Sequence, residues 1–269
     1  MVRLVNSQET LVTESKFDDA VRAYLQFASA HGMAPSQSLL RAEAHVESLR
    51  DWAPEHSLDD VKSWFEARRA NCEMTIEYIA LDQCRRWSLD PSTGFIKHDS
   101  GDFFTVQGLR VITSSEREVQ SGWDQPMLTQ VGFDGGILGL LRQRRDGAPM
   151  YLAEAKAEPG NYRIIQLSPT IQATYANIRQ SHGGRKPRFA EYFDNTRPSA
   201  VHVHFDQWLS EDGGRLTNKR NRGMLVEVPA DHEIDVPDGF LWVSLWQIKE
   251  LLHENAWVNP HIRGIIAHL

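Results

Sequence analysis

The spacing of apolar residues changes at Trp87, and this change constrains the fold more than any other feature of the chain. Upstream, from about residue 14 to 84, the spacing is helical. Phe17, Val21, Tyr24, Leu25 and Ala28 recur at helical intervals, and Gly32 stops the run. Leu39, Leu40, Ala44 and Val46 mark a second helix that closes near Trp52-Ala53-Pro54. A third begins after Ser57, with Asp59 and Asp60 in the first turn where acidic side chains complement the helix dipole. Its apolar residues continue through Val61, Trp64 and Phe65 to Ile76 and Ile79.

Downstream of Trp87 the runs are short and broken by turn residues. Asp90-Pro91-Ser92-Thr93-Gly94 has the chemistry of a turn, since proline fixes φ and glycine tolerates positive φ. Phe103, Phe104 and Val106, then Leu109, Val111 and Ile112, read as strands around Gln107-Gly108. Residues 135–141 and 150–153 read as paired strands joined through Arg144-Arg145-Asp146-Gly147. Ser168-Pro169 is expected to open a helix, with Ile171, Thr174, Tyr175 and Ile178 on one face and Gly183-Gly184 at its end. Val201, Val203 and Phe205 alternate with His202 and His204 as in a half-buried strand, and Met224 to Val228 form another. Ser244 and Gln247 make a capping box ahead of Ile248, Leu251 and Leu252. The expected architecture is α+β: a helical segment over residues 1–81, then a mixed-sheet domain over 82–269.

Composition narrows the function classes. With 41% hydrophobic and 24% charged residues in 269, a core forms without staples or metals. The net charge of −7 argues against a nucleic-acid binder, which would carry a basic surface. Cys72 and Cys84 lack CxxC spacing and are too few for a zinc site or a disulfide framework, so both are expected to be reduced. The first residues have no apolar leader, and no stretch approaches the roughly 18 uninterrupted apolar residues of a membrane span. The expectation is a cytoplasmic protein without a membrane partner.

Three blocks carry more than fold information. They are Trp87-Ser88-Leu89-Asp90-Pro91-Ser92-Thr93-Gly94-Phe95-Ile96-Lys97-His98 with Asp99-Ser100-Gly101-Asp102 after it, Trp123-Asp124-Gln125-Pro126, and Glu154-Ala155-Lys156-Ala157-Glu158-Pro159-Gly160-Asn161 running into Gln166-Leu167-Ser168-Pro169-Thr170-Ile171-Gln172-Ala173-Thr174. Together they resemble the repeat unit of the NDP-hexose 2,3-dehydratases of deoxysugar biosynthesis. The resemblance covers roughly residues 82 to 269, including Lys219-Arg220-Asn221-Arg222 and the terminal Leu241-Trp242 helix region. It implies a Nudix-like fold with flanking helices, a homodimer, and a nucleotide diphospho-4-keto-6-deoxyglucose substrate, usually thymidine-linked. The implied reaction removes the C3 proton and expels the C2 hydroxyl, and a separate NADPH-dependent ketoreductase then captures the diketo sugar. Family members carry two copies of this unit where this chain has one, and two expectations stand: a stand-alone unit that dimerises to recreate the tandem arrangement, or a relative that acts on a different substrate.

Such a reaction needs a base near C3, donors where charge develops on O4, and a proton for the departing oxygen. It needs no cofactor, and neither a dinucleotide fingerprint nor a GxxxxGK[ST] loop is present. Strand alternation puts Glu154, Lys156 and Glu158 on one face, as a structural ion-paired trio or as acid–base machinery. In the second reading Glu158 is the base and Lys156 faces the enolate or the leaving hydroxyl, with His98 as the alternative base. Ser168, Thr170 and Gln172 around a helix N-terminus would suit a diphosphate, with Asn161 and Gln166 in the preceding polar loop. Arg220 and Arg222 are candidate phosphate clamps, Trp123 and Tyr175 candidate stacking partners, and Ser100, Gln125 and Asn221 further candidate substrate contacts taken from the resemblance. His202 and His204 share a strand face, but spacing supplies no third metal ligand. A Nudix hydrolase would need a glutamate-rich metal-binding helix, which is absent from the sequence. The remaining alternatives are a single repeat that binds a nucleotide sugar without turnover, and a dehydratase for a different nucleotide-linked carbonyl compound.

Overall fold

The computed structural model describes residues 15–33, 39–112, 122–130, 132, 135–180 and 185–269. Three helices come first: α1 (Lys16–Ala30), α2 (Leu39–Glu47) and α3 (Leu58–Ala70). Ser15 and Ser57 cap α1 and α3 with complete capping boxes, closed by Asp18 and Asp60. The third helix is shorter than its apolar spacing suggested. It stops at Ala70, and residues 73–80 are exposed and without regular secondary structure, because the β-branched and aromatic residues Thr75, Ile76, Tyr78 and Ile79 favour helix poorly and face no core. Cys72 and Cys84 therefore lie outside any α-helix, and both are free thiols.

Two sheets follow. The smaller has the order β1-β2-β3-β4-β10, built from Trp87–Leu89, Ile96–His98, Phe104–Val111, Trp123–Gln130 and Leu216–Thr217. Here β3 is one continuous strand through Gln107-Gly108, where two had been expected, since its whole length pairs with β4. The larger sheet runs β12-β6-β5-β11-β9, from Phe240–Val243, Ala148–Ala157, Gly136–Arg145, Arg220–Val228 and His202–Ser210. Leu241 and Trp242 thus sit in a strand ahead of the helix α5 (Leu245–Leu251), not in a helix. The expected turn between β5 and β6 is present, with Asp146 and Gly147 both at positive φ. A Cβ at Gly147 would lie 2.3 Å from that of Ser15, so the turn also seats the start of α1.

The β5–β6 hairpin pairs only near its turn, from Arg145 with Ala148 to Leu141 with Leu152. Beyond that point the strands part. β7 (Ile165–Ser168) pairs with β6, and β8 (Ile171–Thr174) pairs with β5. The segment expected to be a helix capped by Ser168 is therefore a wedge of two short strands. Ile171 and Ala173 alternate into the core, and β5 offers them an unpaired ladder. Only four residues, Tyr175–Ile178, form a helix (α4), and Thr174 caps it; Gly183 and Gly184 lie outside the described residues. At the fork, Thr170 Oγ1 accepts from the Leu141 N–H at 2.8 Å and donates to the Leu152 carbonyl at 2.5 Å. One hydroxyl thus replaces the backbone bond lost where the strands separate.

The larger sheet carries apolar layers on both faces. One holds Val61 and Phe65 of α3 with α5 and the last helix, α6 (Pro260–Ile266); the other gathers Phe189 and Phe193 over Leu141, Leu152 and Met224. The first two helices are tied down by charge. Arg142 of β5, 1% exposed, meets Glu43 at 2.6 Å and Glu47 at 3.2 Å from α2, and also pairs with Glu227 of β11. Tyr151 donates to Glu47 at 2.8 Å, and Arg144 reaches Asp18 of α1 at 3.0 Å. His204 contacts Glu227 at 2.6 Å, and among the described residues no cluster of His, Cys, Asp and Glu is arranged to hold a metal ion. No described helix is long and apolar enough to cross a membrane.

Thr170→Val should lower unfolding free energy by about 2–3 kcal/mol in chemical denaturation, because it leaves a buried N–H and a buried carbonyl unpaired; Thr170→Ser should lose far less. Acid should act through Glu227. Burial pushes its carboxyl up, but the bond to His204 and the charge of Arg142 outweigh this and hold it at about 2, against 4.5 unperturbed. A depressed carboxylate pKa stabilises above the unfolded value, and that contribution is lost as pH falls through the folded one. The stability gap between wild type and Glu227→Gln should therefore shrink as pH drops from 4.5 to about 2.

Candidate active site

The end of β6 carries the candidate acid–base groups. Glu154, Lys156 and Glu158 alternate along it, with Glu158 one residue beyond the strand. Lys156 Nζ lies 3.3 Å from Glu154 Oε2. Burial pushes the Glu154 carboxyl up; Lys156 draws it back, and the negative charge of Glu158 adds to the rise. These two side chains line a cavity of about 320 Å³ with Thr170, Gln172, Arg188 and Phe240.

Glu158 is held by a chain of amides. Gln172 Nε2 donates to Glu158 Oε1 at 2.9 Å. Asn259 Nδ2 donates to Gln172 Oε1 at 3.3 Å and to Ser168 Oγ at 2.8 Å, while Asn259 Oδ1 accepts from Ile262 N at 3.0 Å as the cap of α6. Buried and fully committed, Asn259 fixes which end of the Gln172 amide faces the carboxylate. The loop after Glu158 is equally constrained. Arg163 and Ile164 adopt φ of 58° and 66°, rare for such side chains, while Asn161 Nδ2 donates to the Ile164 carbonyl at 3.1 Å. Gln166 Nε2 donates to the Ala256 carbonyl at 2.9 Å and ties β7 to the chain leading into α6.

A second cavity, about 310 Å³, lies on the other side of Gln172 and includes Glu158, Asn221, Lys219, His261 and Phe104 in its lining. Asn221 donates to Glu211. Lys219 donates to Gln130 and sits 5.6 Å from the centre of the Phe104 ring; burial draws its amine below the ordinary lysine value. Gln172 thus stands between an ion-paired cavity and one that holds Glu158 and a desolvated lysine. Proton transfer and recognition of a polar ligand are both within reach of these groups.

The other candidates lie elsewhere. His98 is in the smaller sheet, its Nδ1 2.8 Å from Ser100 Oγ and its ring edge-on to Trp87 and Phe103. Trp123 donates to Gln125 at 2.5 Å within β4. Arg220 lies over the Trp208 ring, and Arg222, which also bonds Tyr175, pairs with Asp206 at two points, so neither cavity is lined by either arginine. The helix N-terminus that was to hold a diphosphate does not exist at Ser168, whose hydroxyl is buried against Asn259. Sequence reasoning placed Glu154 only as a member of the trio, quoted Lys219 without a role, and passed over Asn259. Asn259-Pro260 is a legible helix start, with a cap residue followed by proline at the first position, but nothing local says that the same amide reaches Gln172.

The family model for NDP-hexose 2,3-dehydratase matches residues 58–269. The dTDP-4-dehydro-6-deoxy-alpha-D-glucopyranose 2,3-dehydratase of Amycolatopsis orientalis is 37% identical over 217 residues, covering 78% of this chain and 44% of that protein. The enzyme of the same description from Streptomyces violaceoruber is 36% identical over 207 residues, covering 77% and 45%. The chain belongs to the NDP-hexose 2,3-dehydratase family. It spans less than half the length of these curated relatives. Among solved structures it is similar to a Nudix hydrolase from M. smegmatis, RenU (TM-score 0.30, 15% identity, 60% of this chain and 97% of that one), and to an ADP compounds hydrolase (TM-score 0.32, 10% identity, 61% and 83%). The latter likenesses are too distant to carry an argument.

Lys156→Met removes the group that draws the Glu154 carboxyl down among the described residues, so its titration, followed by carbon NMR, should move to still higher pH.

Proposed function

We propose that the chain catalyses 2,3-dehydration of a nucleotide-linked 4-keto-6-deoxyhexose, with dTDP-4-keto-6-deoxyglucose as the reference substrate. The observation that carries this reading is the succession of Glu154, Lys156 and Glu158 along the amide-braced end of β6, in a chain of this family. Glu158 takes the C3 proton, which is acidic because the enolate delocalises onto O4. Lys156 lies where it can stabilise that oxygen or protonate the leaving C2 oxygen. Glu154, displaced by burial toward its protonated form, supports the lysine in that role. The C3–H electrons form the enolate, the C2–O bond then breaks, and water leaves. Tautomerisation gives a 3,4-diketo-2,6-dideoxy sugar, consumed by a separate NADPH-dependent ketoreductase. The protein acts as a cytoplasmic homodimer, and the dTDP moiety occupies the second cavity, past Gln172.

The test is incubation with dTDP-4-keto-6-deoxyglucose in D2O, with and without a trapping ketoreductase and NADPH, followed by mass spectrometry. Loss of water captured as a reduced 2-deoxy sugar is expected. Glu158→Gln should reduce turnover by about 10²- to 10⁴-fold, the range for a lost general base, with ligand binding changed only a few-fold. Binding without exchange or water loss in the wild type would replace this reading with that of a nucleotide-sugar-binding module.

A further inference from the structure

The amide chain behind Glu158 has a direction. It starts at a main-chain N–H, which can only donate: Ile262 N donates to Asn259 Oδ1 at 3.0 Å. That bond turns the Asn259 amide so that Nδ2 faces away, toward Ser168 Oγ at 2.8 Å and Gln172 Oε1 at 3.3 Å. With its carbonyl oxygen so taken, Gln172 presents Nε2 to Glu158 Oε1 at 2.9 Å. Ser168 gives its own proton to the Gln166 carbonyl at 3.4 Å and so competes for no link. Every link donates toward Glu158, and none turns round without leaving a buried group unpaired.

The chain is sheltered and anchored. Asn259 is 1% exposed and Ser168 and Ile262 are wholly buried, so water does not compete for these groups. Asn259 N donates to the Leu167 carbonyl at 3.0 Å and Leu167 N to the Trp257 carbonyl at 2.7 Å, which fastens the start of α6 to β7. The charged groups around Glu158 are Lys156 and Glu154 on β6, and Lys219, Glu211 and His261 in its cavity. Among the described residues, only Gln172 bonds its carboxylate, and Oε2 is left open. Capping alone does not require asparagine at 259, since serine or aspartate would cap α6 as well. Of the usual cap residues, only asparagine accepts from the helix while offering two N–H groups onward.

We propose that Asn259 and Gln172 are positioning residues for the base: a one-way relay, set by the main chain of α6, that holds a donor on Glu158 Oε1 and leaves Oε2 to take the substrate proton. This role rests on the reading of Glu158 as the base for dehydration. A donor at Oε1 favours the carboxylate form, the one able to accept the C3 proton. A reversed relay would present the Gln172 carbonyl instead, which only a protonated carboxyl satisfies.

Asn259→Asp reverses the relay at constant shape. The introduced carboxylate still caps α6, but it draws the Gln172 amide round to donate to it, and the Gln172 carbonyl then faces Glu158. With dTDP-4-keto-6-deoxyglucose, the acid limb of kcat/KM is expected to move up by about one pH unit, a loss of about tenfold below the limb with recovery above it. Asn259→Ser, which caps without a charge or an amide, should move the limb the same way by less. A role confined to holding α6 would lower activity equally at every pH or leave it unchanged, and either result overturns the proposal. Nitrogen NMR of the Gln172 side-chain amide, recorded without substrate, separates the relay from the reaction. Glu158→Gln is expected to shift that signal in the otherwise wild-type chain and to leave it in place in the Asn259→Asp background. A signal that ignores Glu158→Gln in the wild type, or responds equally in both backgrounds, overturns the relay even where dehydration is observed. A wild type that turns over no substrate while its amide responds as expected supports the relay and overturns the dehydration reading.

Discussion

Strands β5 and β6 begin as a hairpin and separate beyond Leu141 and Leu152, and each must then find another partner for its backbone. The Thr170 hydroxyl resolves that requirement at the branch point by accepting from one strand and donating to the other. Because it does so, β7 and β8 can wedge between the parted strands without leaving buried peptide groups unpaired. Everything functional in the larger sheet follows from this geometry. The wedge brings Ser168 and Gln172 to the open end of β6, where Glu154, Lys156 and Glu158 emerge. A plain hairpin would have placed those carboxylates along an ordinary strand face with no amide chain to orient them.

A second constraint acts through charge. Arg142 is buried among three carboxylates, and desolvating such a group is costly unless its partners are well placed. Two of those partners come from α2 and one from β11, so the cluster specifies where the N-terminal helices dock. It supplies specificity more than net stability, since the attraction mainly offsets the desolvation. The apolar contacts of Ala44 and Val46 of α2 with their respective clusters supply the rest.

Much of the local structure was legible. The helix start after Ser57, the capping box at Ser244, the stop at Gly32 and the Asp146-Gly147 turn each announce themselves through chemistry that operates over a few residues. The errors share one cause. Ile76 and Ile79 continue a helical period without a core to receive it, and Ser168-Pro169 has the composition of a helix start, but the ladder left open by β5 draws the segment into a strand. Local signals were correct about what the residues favour, and long-range pairing decided between alternatives of similar local energy. The site shows the same division. The alternation that sets Glu154, Lys156 and Glu158 on one face is a property of strand geometry, whereas the bond from Gln172 to Glu158 and the reach of Asn259 across the fold depend on contacts between distant segments.

By itself, then, the sequence determined the class of fold, the family and the strand that bears the candidate acid–base groups, because periodicity and motif chemistry are local and survive without tertiary context. Tertiary structure alone decided which residues share a cavity. It separated His98, Trp123 and Gln125 from Glu158, turned the Ser168 region from an anion-binding helix end into a structural wedge, and committed Arg222 to Asp206. It also exposed Lys219 as a desolvated amine facing the same cavity as Glu158. The physical reason is that a side chain's charge state and reach are set by what is packed around it, and those neighbours lie up to about two hundred residues away along the chain.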